Sequence, residues 1–132
     1  MMAAKKKILI VDDERDIVKA LTIRLQSSGY RTVVAFDGVQ GVFMAHKEKP
    51  HLIILDIRMP AGDGFSVAEK LKESKRMSRI PIIFVTGSPE RSAEEKARDI
   101  GARFFIKKPY DPEELLDAVR RALEVKPGDT SS

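Results

Sequence analysis

At 132 residues the chain is long enough for one domain and too short for two ordinary ones. Its 42% hydrophobic and 33% charged residues exclude a disordered chain, and the lack of cysteine excludes a disulfide framework and a thiolate metal site. The formal net charge of +4 is spread over several segments with no aromatic-interleaved basic stripe, which speaks against direct nucleic-acid binding and for a basic face that docks an acidic protein.

No apolar run approaches the roughly 18 residues that span a bilayer. The run Ile8-Leu9-Ile10-Val11 stops at Asp12-Asp13-Glu14, short of the about 7–15 apolar residues of a secretory signal. It reads instead as a first strand, continuous in apolar residues because both faces are buried. Residues 1–4 form a flexible, solvated tail before it. A helix follows over about residues 13–28, with Ile17, Leu21 and Leu25 at four-residue spacing and Gly29 at the position that ends helices.

The second strand covers residues 31–36 and runs into the turn pair Asp37-Gly38. The second helix, about residues 39–47, gathers Val39, Val42 and Phe43 on one face. Leu52-Ile53-Ile54-Leu55 is the third strand and delivers Asp56. The turn-rich loop Met59-Pro60-Ala61-Gly62-Asp63-Gly64 leads to a third helix with Phe65, Ala68 and Leu71 inward. The fourth strand, Ile82-Ile83-Phe84-Val85, ends at Thr86-Gly87. A fourth helix, about residues 90–100, offers the core only Ala93, Ala97 and Ile100, so it is expected to be the most mobile element. The fifth strand is residues 103–106. The last helix opens on Asp111-Pro112-Glu113-Glu114, a cap, a proline at the first turn and acids on the positive end of the dipole, and buries Leu115, Leu116, Val119 and Leu123. Residues 126–132 form a second flexible tail, leaving one domain over residues 5–125.

Five strand–helix units imply an α/β fold: an open, doubly wound, five-stranded parallel sheet with five helices on its two faces. Ligands bind such sheets beyond the carboxyl ends of the strands. Those ends carry Asp12 and Asp13, Asp56, Thr86 and Lys108. Taken singly, an acid after a strand is often a helix cap and a threonine there is often a turn residue. Taken together, three carboxylates at one rim repel one another unless a cation joins them. With no histidine or cysteine in the set, Mg²⁺ suits it better than zinc. A divalent metal, a carboxylate nucleophile, a lysine and a hydroxyl match phosphoryl transfer to an aspartate.

The motifs Val11-Asp12-Asp13-Glu14, Asp56-Ile57-Arg58-Met59-Pro60-Ala61-Gly62-Asp63-Gly64, Val85-Thr86-Gly87, Gly101-Ala102 and Lys108-Pro109-Tyr110 fall at these strand ends in order. In them the chain resembles the receiver domain of two-component response regulators, a single-domain, chemotaxis-receiver-like form. The resemblance implies a flavodoxin-like strand order 2-1-3-4-5 and a phosphorylation-activated signalling switch. Asp56 would take the phosphoryl group of a sensor histidine kinase or phosphotransfer protein. Asp13 would bind Mg²⁺ directly, Asp12 would hold a metal-bound water, and the backbone carbonyl of Arg58 would add a ligand. Thr86 would move toward the phosphoryl oxygens and Lys108 pair with them. Phe105 stands at the switch position, where an aromatic ring turns inward, and the Lys108–Pro109 bond is usually cis. The face of the fourth helix, fifth strand and fifth helix would then control a partner protein, with the chain a monomer or weak homodimer in the cytoplasm.

Phosphorylation adds roughly −1.5 to −2 charge and three acceptor oxygens, so a two-state equilibrium shifts toward the form in which Thr86 and Lys108 meet that group. The chain departs from many relatives in Arg103-Phe104-Phe105 and Lys107, which with Arg91, Lys96 and Arg98 make the expected output face basic. Arg58, two residues past the acceptor, is expected to influence phosphoryl lifetime, and His46 and His51 read as surface residues rather than phosphodonors.

Three other functions compete. A degenerate receiver acting only as a protein-interaction module would lack part of the set Asp13, Asp56, Thr86 and Lys108. An aspartyl-phosphate hydrolase would use an Asp-x-Asp pair, where Arg58 occupies the second position. A flavin-binding protein would need a Ser/Thr/Gly-rich phosphate loop where Asp12-Asp13-Glu14-Arg15 stands. The favoured reading is no metabolic enzyme, since its chemistry is confined to its own phosphorylation and dephosphorylation.

Overall fold

The computed structural model describes residues 5–59, 63–87 and 91–124; the expected tails, residue 125, Pro60, Ala61, Gly62 and residues 88–90 lie outside them. Five strands, β1 (Lys7–Val11), β2 (Arg31–Ala35), β3 (Leu52–Asp56), β4 (Ile82–Thr86) and β5 (Phe104–Lys107), form one sheet. Its order is β2-β1-β3-β4-β5 and every pairing is parallel. The helices are α1 (Arg15–Ser27), α2 (Gly38–Glu48), α3 (Gly64–Lys72), α4 (Arg91–Ile100) and α5 (Pro112–Glu124). This is the doubly wound, five-stranded fold that the residue pattern implies.

The period of two along a strand sorts the core into two layers. Leu9, Val11, Ile53, Leu55 and Phe84 point to the side covered by α2, α3 and α4. Ile8, Ile10, Leu52, Ile54, Ile83 and Val85 point to the side covered by α1 and α5. Because β1, β3 and β4 are buried on both faces, their sequences are continuous apolar runs rather than alternating ones.

Helix termini follow local chemistry. Asp37 accepts the Gln40 N–H at 2.8 Å and Asp63 the Ser66 N–H at 2.9 Å, so these acids cap α2 and α3. Gly29 and Gly101 take φ of 94° and 96° just past α1 and α4, where a side chain would be strained. Asp111 accepts the Glu113 N–H at 3.0 Å at the start of α5.

One local reading is corrected. Val39 and Phe43 are 70% and 62% exposed; α2 buries Gly38, Gly41 and Ala45 instead. The cause is close approach: a Cβ on Gly41 would stand 3.0 Å from a Val11 methyl, so α2 meets β1 through its small residues and turns its large ones out. A single 3-10 turn, Met77–Arg79, lies between α3 and β4 and buries Met77; three residues carry no periodicity by which to foresee it. Among the described residues no helix is long and apolar enough to cross a membrane.

Candidate functional site

Strand register assembles the rim. Val11 pairs with Leu55, so Asp12 and Asp56 are the next residues on adjacent strands. Asp56 pairs with Val85 and Thr86 with Lys107, which brings Thr86 and Lys108 to the same edge. Backbone bonds lock the strand ends: Ile57 N–H donates to the Val85 carbonyl at 3.0 Å, and Lys108 N–H to the Thr86 carbonyl at 2.7 Å. Each of Asp12, Asp13 and Asp56 offers a carboxylate oxygen, and all these atoms lie within 4.8 Å of one another. Asp12, Asp56 and Thr86 are buried, and Asp13 faces solvent.

Lys108 is the cation inside this group. Its ammonium lies 2.8 Å from Asp12, 2.7 Å from Glu14 and 3.4 Å from Asp56, with its side chain only 8% exposed. Burial alone would lower the Lys108 pKa, but hydrogen bonds to Asp12 and Glu14 and the charges of Asp12 and Asp56 outweigh it and hold the ammonium above its ordinary value. Asp56 is pushed up to about 6, first by burial and then by the charge of Asp12, against the opposing pull of Lys108. Tyr110, packed on the α1–α5 side of the core, is pushed up to about 12, first by burial and then by the charge of Asp12.

The donor set fits a hard divalent cation: three carboxylates crowd together, none is a soft ligand, and exposed Asp13 leaves one side open to water. The bland alternative for the acid pair, helix capping, is not what the structure contains. The residue capping α1 is Glu14, without a side-chain cap bond, while Asp12 accepts the Glu14 N–H at 2.9 Å in a two-residue turn.

Sequence reasoning left Glu14 without a role, although it ends the quoted run Asp12-Asp13-Glu14; its bond to Lys108 spans 94 positions and is set by the fold alone. Gly64 is a second omission. Its N–H donates to the Ile57 carbonyl at 2.8 Å, and a Cβ there would lie 2.4 Å from the Asp56 carbonyl oxygen. Only glycine lets α3 start this close behind Asp56.

Phe105 is half-buried and packs on the α2–α4 side of the core. The Lys108–Pro109 bond is cis. Arg58 is exposed, and its backbone hydrogen-bonds the Asp56 carboxylate. The expected basic output face is thinner than its sequence suggests. Arg98 lies 3.7 Å from Glu94, and Lys96 turns away to stand 4.9 Å from the centroid of the Phe65 ring; the Arg91 side chain lies outside the described residues. His46 and His51 are exposed and far in register from the rim, His51 accepting the Lys7 N–H at 3.0 Å.

A family profile described as "Response regulator receiver domain" matches residues 8–120. Among curated proteins, the alkaline phosphatase synthesis transcriptional regulatory protein PhoP of Bacillus subtilis is 38% identical over 118 residues, covering 89% of this chain and 48% of that protein. The probable transcriptional regulator ycf27 of Galdieria sulphuraria is 38% identical over 119 residues, covering 90% and 46%. The chain thus spans about half the length of these relatives. Among solved structures, a CheY-like response regulator receiver domain protein of Methanospirillum hungatei superposes with a TM-score of 0.86 at 28% identity, covering 92% of this chain and 95% of that one. The receiver domain of a sensor histidine kinase from Pseudomonas aeruginosa, with a magnesium ion coordinated in its active site cleft, does so with 0.84 at 28%, covering 92% and 100%.

Proposed function

This chain belongs to the response regulator receiver domain family, and from that membership we propose that it is a phosphorylation-activated switch whose acceptor is Asp56. The observation that carries the reading is the meeting of Asp12, Asp13 and Asp56 within 4.8 Å, with the Lys108 ammonium 3.4 Å from Asp56.

Asp56 presents its carboxylate to a phosphohistidine of a sensor histidine kinase or phosphotransfer protein. An Asp56 oxygen bonds to phosphorus as the P–N bond breaks, and the electron pair stays on the departing imidazole nitrogen, which takes up a proton. Mg²⁺ held by Asp13 and Asp56, with Asp12 behind a bound water and the Arg58 carbonyl as a further ligand, would neutralise charge on the transferring oxygens. Lys108 faces the same oxygens from the other side, already fixed by Asp12 and Glu14. The Thr86 hydroxyl donates to the new phosphoryl group, and Phe105 turns further into the core behind it. The altered α4–β5–α5 face then engages a downstream protein. The reading includes cytoplasmic action alongside the phosphodonor, with Arg58 beside the path of the hydrolytic water.

Incubation with acetyl phosphate, with and without Mg²⁺, tests this. Wild type is expected to gain one phosphoryl mass only with Mg²⁺, and Asp56→Asn none. Equal labelling of Asp56→Asn would move the acceptor elsewhere, and an unlabelled wild type would favour a receiver that works only by protein contact.

A further inference from the structure

Lys96 stands on α4, exposed, with its ammonium 4.9 Å from the centroid of the Phe65 ring. Among the described residues no carboxylate pairs with it. Phe65 itself is fixed. It follows Gly64, which abuts the Asp56 backbone, and it meets Phe84 of β4 edge-on at 5.2 Å. Its ring is therefore a fixed seat beside Asp56, and α4 rests a charged group, Lys96, against it.

The same lysine lines a cleft of about 340 Å³ together with Arg58, Asp63, Thr86 and Ser92. Thr86 joins that cleft to the acceptor rim. Asp63, the acid in the cleft, is engaged as the α3 cap. Lys108 sits across the rim, held by Asp12 and Glu14 on the α1 side. An added charge on Asp56 thus meets a cation already committed on one side and an uncommitted one on the other. A cation–π contact at an exposed site is weak enough for a phosphoryl dianion to outcompete. Among its described side chains, the helix that carries Lys96 adds one fully buried residue, Ala97, to the core, so little packing resists its shift.

We propose that Lys96 is a positioning residue that transmits charge on Asp56 to α4: the ammonium leaves the Phe65 ring for the cleft when a phosphoryl group arrives and draws the helix after it. The inference rests on the acceptor reading above and adds to it a route independent of Thr86 and Phe105.

The test uses the whole chain with beryllofluoride and Mg²⁺ as a phosphoryl mimic, read by amide NMR shifts across residues 92–100 and by apparent beryllofluoride affinity. Lys96→Met keeps the stem and removes the charge; it is expected to weaken affinity by about threefold to fivefold, the scale of one partly screened charge, and to shrink the α4 shifts. Lys96→Arg is expected to restore both. The difference between Lys96→Met and wild type should fade in about 0.5 M salt, where charges are screened within a few ångströms. Lys96→Met behaving as wild type in both readouts overturns the inference alone. A defect that Lys96→Arg shares, accompanied by a lower melting temperature, marks a structural role and also overturns it. A wild type without beryllofluoride-dependent shifts removes the acceptor reading and this inference together.

Discussion

On the Lys108 side of Asp56, a nearly buried ammonium touches three carboxylates, and backbone hydrogen bonds tie β4 to its neighbours β3 and β5 at the rim. On the Thr86 side, α4 reaches the sheet through buried Ala97 and the partly buried Ala93 and Ile100, and Phe105 is only half-buried. Both sides border the same carboxylate, so a phosphoryl group arriving there would press against one wall that is fully engaged and one that is loosely held. Closely packed, charge-satisfied elements resist displacement, while elements with few buried contacts open at low cost. The difference teaches which half of the rim does the holding and which half can report.

The largest expected effect comes from breaking the fixed side at its floor. In Gly64→Ala the new methyl would need to occupy space 2.4 Å from the Asp56 carbonyl oxygen and 2.9 Å from the Ile57 Cα. Backbone cannot rotate aside as a side chain can, so α3 and the acceptor must separate. A loss of about 3 kcal/mol or more in urea-unfolding free energy is expected, at the top of the range for overpacking. Acetyl-phosphate labelling should fall by about 100-fold, the cost of roughly 1 Å of misplacement at a reacting centre. Labelling at the wild-type rate would show that the floor is not fixed.

Lys108→Met removes the cation of the same wall and should cost less. Asp12 and Asp56 would be left buried side by side with no ammonium between them. Stripping one partner from a mostly buried ion pair is expected to cost about 2 kcal/mol here, since Asp56 can relax by taking a proton. Losing the pull of Lys108 raises the Asp56 carboxyl further above about 6, so unfolding is followed at pH 8, where the wild-type carboxylate is ionised. Adding Mg²⁺ should then stabilise the variant more than the wild type, because the metal supplies the missing positive charge. Equal stabilisation of both chains by Mg²⁺ would mean that Lys108 does not balance the acid cluster.

The two walls were unequally legible in the residues. Asp12, Asp56 and Thr86 could be found because β1, β3 and β4, buried on both faces, are unbroken apolar runs that point at the residue after them; Asp13 and Lys108 stand one position further on. What those residues touch was another matter. Glu14 meets Lys108 across 94 positions, and no spacing rule reaches that far. Lys96 reads as part of the output face because Ala93, Ala97 and Ile100 mark the inward side of α4 but not where a long side chain beside that face reaches; Phe65 reveals where the ammonium lies. The outward Val39 and Phe43 misled for the reverse reason. Large apolar residues outweigh glycine in a pattern, yet Gly41 decides how closely α2 lies on Val11.

The smallest effect separates the rim's response to acid from that of the rest of the fold. His51 lies at the opposite end of the sheet, where its Nδ1 accepts the Lys7 N–H at 3.0 Å. Burial and the charges of Lys6 and Lys7 lower its pKa below the ordinary 6.5. The unfolded chain therefore binds more protons at this site than the folded one, so its contribution to stability is complete above pH 6.5 and is lost as pH falls through the lower folded value. Protonation at Nδ1 also removes the acceptor that Lys7 uses. His51→Gln keeps an acceptor without the titration, and should flatten the stability profile below pH 6.5 by a few tenths of a kcal/mol, the scale left to an exposed group after solvent screening. Urea midpoints at pH 5.5 and 7.5 measure it. If the acid sensitivity of the chain is unchanged in His51→Gln, this edge contributes nothing, and the whole response must be sought among the carboxylates of the rim.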